Sequence, residues 1–121
     1  MSGEEEELGE KREEALRRFR RLLLESIDEG LNVLGESIKD TVYFYINRKN
    51  DLKREEIPSR PEEFSRALKS IFGSVGAGFI EDQILKNLYM KVGAEYVKEK
   101  NLTFKDHVEN AMEAYLRKAS S

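Results

Sequence analysis

The sequence predicts an all-α fold: a compact bundle of about five helices with a long N-terminal helix or kinked helix pair. Three observations carry this. Apolar residues recur at steps of three and four from Leu16 to Tyr45, the stripe of an α-helix. Later stretches opening near Pro61 and Thr103 start with helix-initiating residues and keep the same period. A single stretch, Thr41–Ile46, has the composition of a strand, and no second one exists to pair with it.

The elements follow in order. Residues 1–9 are acidic and glycine-containing, and are expected to form a disordered tail. Residues 10–25 read as an N-terminal amphipathic helix, and residues 26–121 as the helical bundle domain. Ser26-Ile27-Asp28-Glu29 has the form of a capping box, and Gly30 and Gly35 each weaken a helix interior. The expected break therefore falls near Ser26, with a second helix over 27–48, although a single helix through both is the alternative. The aromatic residues of Thr41–Ile46 face all round that helix, which predicts burial on more than one side. Residues 49–60 read as a loop with one helical turn, with Ile57 plugging the core edge before Pro58. Pro61 and two glutamates open the next helix, and Gly73 ends it. A fourth helix spans about 77–92 and stops at Gly93. Thr103 and Asp106 then have cap spacing ahead of the last helix. Phe64, Phe72, Leu88 and Phe104 are the predicted core residues.

Composition bounds the function. The chain has 121 residues, 39% apolar and 37% charged, the size of one domain. No apolar run approaches the ~20 residues of a membrane span. There is no cysteine, and Glu4–Glu7 stand where a signal peptide would carry basic and then apolar residues. Both facts point to the cytoplasm. Abundant Glu, Lys and Arg with a single Gln lean towards a thermophilic source, against which six asparagines count. The net charge of −3 hides an asymmetry: an acidic N-terminus precedes a cluster of Arg17, Arg18, Arg20 and Arg21.

Catalytic chemistry finds little support. Gly73–Gly78 is glycine-rich, but it follows a helix and lacks the lysine of a phosphate loop, so it reads as a turn. His107 is the one histidine, and without cysteine or a second histidine it predicts no metal site and sits at the border of the apolar face. The adjacent pairs Glu55-Glu56 and Glu62-Glu63 point apart on a helix, and no serine has a nucleophile-elbow context. No catalytic, cofactor or metal residue is assigned. The four arginines form a basic helix face that suits phosphates, though Glu13, Glu14 and Glu25 are placed to pair with it. The opposite arc, Leu16, Phe19, Leu22 and Leu23, with Leu24 widening it, exceeds a one-sided stripe and predicts docking onto another chain.

Several segments carry a resemblance. Ile27-Asp28-Glu29-Gly30-Leu31, Leu34-Gly35-Glu36-Ser37-Ile38, Tyr43-Phe44-Tyr45, Arg54-Glu55-Glu56-Ile57-Pro58, Pro61-Glu62-Glu63-Phe64, Ile71-Phe72-Gly73 and Thr103-Phe104-Lys105-Asp106 follow one another in order. Over most of 27–116 the chain resembles the archaeal NitrOD5-like (Nitrosopumilus output domain) group of small helical domains. Ser74-Val75-Gly76 departs from the group, where a shorter glycine-containing turn is commoner. The matching motifs are caps, turns and core positions. The resemblance implies an all-α domain, alone or attached to signalling modules as an effector part, and no catalytic residue.

The sequence thus leads to a non-enzymatic protein-interaction module, in the form of a signalling output domain if the resemblance holds. It is expected to form a dimer through Leu16, Phe19, Leu22 and Leu23, or to bind another protein, away from any membrane. The first alternative is a nucleic-acid-associated protein using Arg17, Arg18, Arg20 and Arg21. The second is a small-ligand binder with a pocket lined by Tyr43, Tyr45, Tyr89 and Tyr96.

Overall fold

A computed structural model of the chain describes residues 2–120. In order, the elements are α1 (Ser2–Asn32), α2 (Glu36–Asn50), a short 3₁₀ segment (Arg54–Ser59), α3 (Pro61–Val92) and α4 (Phe104–Ala119). With α3 divided at its kink, the helices number about as the sequence predicts, and no strand occurs among the described residues. Thr41–Ile46 is helical, as the period requires.

Two helices, α1 and α3, each touch every other element. Ala15, Phe19, Leu23, Ile27 and Leu31 of α1 are buried in the core against Leu68, Ile80, Ile84, Leu85 and Leu88 of α3 and its neighbours. Each such aliphatic or aromatic side chain contributes about 1.5–3 kcal/mol relative to leaving it in water. Phe64 packs on Phe104 with ring centroids 5.9 Å apart, and Phe19 on Tyr115 at 6.2 Å. Leu88 is fully buried as well, whereas Phe72 is half-buried at the margin.

Four expectations about the N-terminal half are corrected. Residues 2–9 belong to α1 and not to a separate tail, while Met1 lies outside the described residues. The helix continues through Ser26, so 10–25 is not a unit of its own. Ser26 is buried, and its hydroxyl donates 2.7 Å to the Leu22 carbonyl one turn back instead of capping a new helix. Gly30 does not break the helix either, since a Cβ there would collide with the Ile84 side chain of α3. The glycine lets two helices approach closely. The break comes at Val33–Gly35, where Gly35 has φ 106°. Finally, residues 10–25 do not lie outside the bundle, since Ala15, Phe19 and Leu23 are part of its buried core.

Helix α2 buries only Val42 and Ile46. Its aromatic residues are not enclosed on several sides, since Phe44 and Tyr45 are exposed. Its C-terminus is fixed by Arg60, whose guanidinium donates to the carbonyls of Asp51 (3.0 Å) and Asn50 (3.4 Å) and pairs with Glu63 in the first turn of α3. Leu52 and Ile57 are buried beneath this connection, as expected for Ile57.

Helix α3 starts at Pro61, as predicted, and runs on past Gly73. That residue has φ 76° and ψ 171°, a conformation essentially confined to glycine, and the chain re-enters helix beyond it. The predicted stop is therefore a kink, with no separate turn over 74–76. Gly93, at φ 72°, ends the helix as expected. Thr103 and Asp106 form the predicted capping box of α4: Thr103 Oγ1 accepts from the Asp106 amide at 3.1 Å, and the carboxylate accepts from the Thr103 amide at 3.0 Å.

Candidate functional site

Between α2 and α3 lies a cleft of about 360 Å³. Thr41, Val42, Tyr45, Lys49 and Asn50 line it from α2, and Ala67, Ser70 and Ile71 from α3. Val42 and Ala67 are buried and form an apolar floor. The Lys49 ammonium lies 5.1 Å from the centroid of the Tyr45 ring, a cation–π contact at the mouth. The Thr41 hydroxyl is committed to its own helix, donating 2.8 Å to the Ser37 carbonyl. No carboxylate or imidazole lines the cleft to take a proton from a serine or a substrate.

Exposed apolar residues occur along both helices that border the cleft. Ile38 is 45% exposed, Phe44 62%, Tyr45 47% and Val75 90%. Ile38 and Tyr45 share the flank of α2 that faces the cleft, while Phe44 lies on the outer side of the helix. Ile71 and Val75 straddle the Gly73 kink of α3. The fold leaves these residues uncovered because α3 bends there and α2 ends beside it.

The predicted self-association arc does not lie on the surface. Phe19 and Leu23 are buried in the chain's own core, and Leu16 and Leu22 are half-buried. The extra apolar width of α1 exists because α3, α4 and α2 pack on different sides of it. An intermolecular contact through Phe19 and Leu23 would require the bundle to open.

Arg17, Arg18, Arg20 and Arg21 are all exposed. Of the expected pairs along α1, only Glu14–Arg18 forms, at 3.8 Å, and Arg18 also donates 3.2 Å to the Tyr115 hydroxyl. Arg20 lines a groove of about 250 Å³ with Leu16, Pro58, Lys105 and Met112. Lys105 also borders the next groove, with Arg66 and Lys69. The tertiary fold thus adds basic residues from α3 and α4 to the arginine face.

The four tyrosines separate into different environments. Tyr45 lines the cleft, and the Tyr43 hydroxyl donates 2.5 Å to Asp28. Tyr89 donates 2.7 Å to the His107 carbonyl, and Tyr96 donates 2.7 Å to Asp82. The expected common pocket is therefore corrected: two of these side chains brace α1 and α4 and only two border open space. Tyr96 packs on Tyr89 and on the His107 ring, with centroids 5.2 and 5.3 Å apart. His107 is more deeply buried than its border position predicts, and its Nε2 has no hydrogen-bond partner among the described residues. Together these rings anchor the extended segment between α3 and α4. A cavity of about 70 Å³ beside them also touches Glu81 and Asp82. Burial raises the Glu81 carboxyl above its ordinary value, with the Ser65 hydroxyl (2.5 Å) partly opposing the effect.

Among the described residues, no group of three or more His, Asp or Glu side chains is placed to hold a metal ion. No helix there is long and apolar enough to cross a membrane. Sequence reasoning missed Ile38, Ile71 and Val75 as surface residues. The available signal was local: Val75 sits among Gly73, Gly76 and Gly78, where little side-chain bulk exists to cover it. No family model, no curated protein and no solved structure matches the chain.

Proposed function

We propose that the chain is a non-enzymatic protein-interaction module whose contact surface is the outer side of α2 with the adjoining cleft. The observation that carries this is that α2 and the kinked part of α3, the two helices bordering the cleft, expose Ile38, Phe44, Tyr45, Ile71 and Val75, five of the ten large apolar side chains exposed among the described residues. Singly exposed apolar residues are ordinary, but a cluster around a cleft marks a surface that gains from being covered. Aromatic anchors beside a small groove are the usual centre of a protein contact. The resemblance to NitrOD5-like domains supports the more specific form, an output domain that passes a signal by binding. The lining of the cleft, with no carboxylate or imidazole beside Ser70, supports binding over catalysis.

The test is a photo-crosslinking amino acid placed at Tyr45 and, as a control, at the exposed Glu113 of α4. Discrete protein adducts at position 45, lost on Ile71→Asp or Val75→Asp, are expected. No adduct at position 45, or equal adducts at both positions, contradicts the proposal.

One observation favours a second reading. Among the described residues Arg17, Arg20 and Arg21 have no carboxylate partner, and Arg20 lines one groove with Lys105 and Glu109. Binding to nucleic acid through this face predicts submicromolar affinity for duplex or single-stranded probes. That affinity would fall steeply with salt and on combined Arg20→Ala and Lys105→Ala replacement. The primary reading predicts no such binding at physiological salt.

A further inference from the structure

The outer side of α2 is patterned for a particular occupant. Asp40, Phe44 and Arg48 are four residues apart and form one ridge along the exposed face of the helix. Phe44 stands at the middle of the ridge and is its most exposed large apolar side chain. Among the described residues the side chains of Asp40 and Arg48 make no hydrogen bond or ion pair, although six ion pairs form elsewhere. A negative charge, an aromatic ring and a positive charge therefore stand in line, each without a partner.

Resting on the interaction-module reading, we propose that the partner is a second copy of this chain. The two α2 helices lie antiparallel, with Phe44 against its counterpart on the two-fold axis. A two-fold interface uses the same patch on both subunits, so the patch must fit its own inverted image. Four helical residues rise about 6 Å, so inversion about Phe44 brings Asp40 of one copy level with Arg48 of the other, twice. A parallel arrangement would instead set Asp40 beside Asp40 and Arg48 beside Arg48, so the charges select the antiparallel one. Crossing of the two ridges follows ordinary helix packing, and Thr41 and Tyr45 on the cleft side extend the contact. The bundle leaves the outer face of α2 free for this role, because it uses Val42, Tyr43 and Ile46 on the opposite side.

The test is sedimentation velocity across micromolar to submillimolar concentrations, with thermal melting as a check on folding. Wild type is expected to sediment as a dimer at the upper end. Phe44→Asp, and each of Asp40→Arg and Arg48→Asp alone, should weaken association by about tenfold or more, a factor equal to about 1.4 kcal/mol. The combined Asp40→Arg/Arg48→Asp chain restores opposite charges across the axis and should recover the dimer. A wild-type monomer throughout, a dimer indifferent to Phe44→Asp, or no recovery in the double reversal with folding intact overturns the proposal. A monomer that still gives partner adducts through position 45 keeps the interaction reading and rejects self-association. A monomer without adducts rejects both.

Discussion

Asp28 is where three segments of the chain meet. Its carboxylate, on α1, accepts from the Tyr43 hydroxyl of α2 at 2.5 Å and from the Arg54 guanidinium of the 3₁₀ segment at 2.6 and 3.0 Å. Burial alone would raise this carboxyl, but the hydrogen bonds from Arg54 and Tyr43 outweigh it and hold it below its ordinary value. Tyr43 is pushed far up in turn, by burial first and then by Asp28. The folded state thus favours the ionised carboxylate. Its stabilisation is fully present above the ordinary value of 3.8 and is lost as pH falls through the lower folded value. Because the pair is partly exposed, Asp28→Asn should cost about 1–2 kcal/mol at neutral pH, between a surface pair and a buried charged hydrogen bond. Urea unfolding at several pH values tests this: the gap between the two chains should close in acid. Glu81 has the opposite sign. Its raised carboxyl favours the protonated fold, so its contribution is present below the ordinary 4.5 and is lost as pH rises through the folded value. Glu81→Gln, which keeps an acceptor for Ser65, should therefore melt above wild type at neutral pH and match it in acid. A mutant that melts lower at neutral pH would mean that Glu81 is ionised and well partnered.

Helix ends were legible because their causes are local. Pro61 with its following glutamates, Gly93, and the Thr103–Asp106 pair each act within one turn, so the residues themselves announce them. The middle of α1 was not legible for the opposite reason. Ser26 followed by Glu29 fits a cap or a helix interior equally well, and the choice depends on whether Ser26 faces the core. Gly30 looked like a breaker because its purpose, contact with Ile84, depends on a residue more than fifty positions away. Two glycines allow this to be checked. Gly30→Ala places a methyl against Ile84 and should cost about 1–3 kcal/mol as an overpacked core contact. Gly73→Ala meets no neighbour but sits at φ 76°, and should cost about 1–3 kcal/mol through backbone strain. Chemical denaturation measures both. Replacement without cost at Gly73 would mean that the kink is not fixed there. Because Gly73 lies between Ile71 and Val75, its replacement should also lower the position-45 adduct yield.

At the scale of the molecule, the apolar pattern announced helices and most of the core, including Phe64, Leu88 and Phe104. It did not say which apolar surplus is covered. Two stretches have more apolar residues than one neighbour can bury: Leu22–Leu24 on α1, and Thr41–Ile46 on α2. Sequence reasoning assigned the first to a partner and the second to the core. In the fold Leu23 is buried and Leu22 and Leu24 are half-buried, while Phe44 and Tyr45 stay exposed. Helix α1 touches every other element along its apolar side, while α2 buries only Val42 and Ile46. A helical period shows which face of a helix is apolar, but the number of helices that gather round it is a property of the whole chain. The arginine face illustrates the same limit, since Lys105, Arg66 and Lys69 join it only through folding.

The central claim is that the apolar face left for a partner lies on α2 and not on α1. Thermal melting of wild type, Phe19→Asp and Phe44→Asp tests it most directly, at submicromolar concentration where any dimer adds little to stability. Loss of a buried ring alone costs about 3–5 kcal/mol, and an unpaired carboxylate adds to it. Phe19→Asp is expected to be unfolded or to melt far below wild type, while Phe44→Asp melts with it. A Phe19→Asp chain as stable as wild type, or a Phe44→Asp chain that collapses, would contradict it.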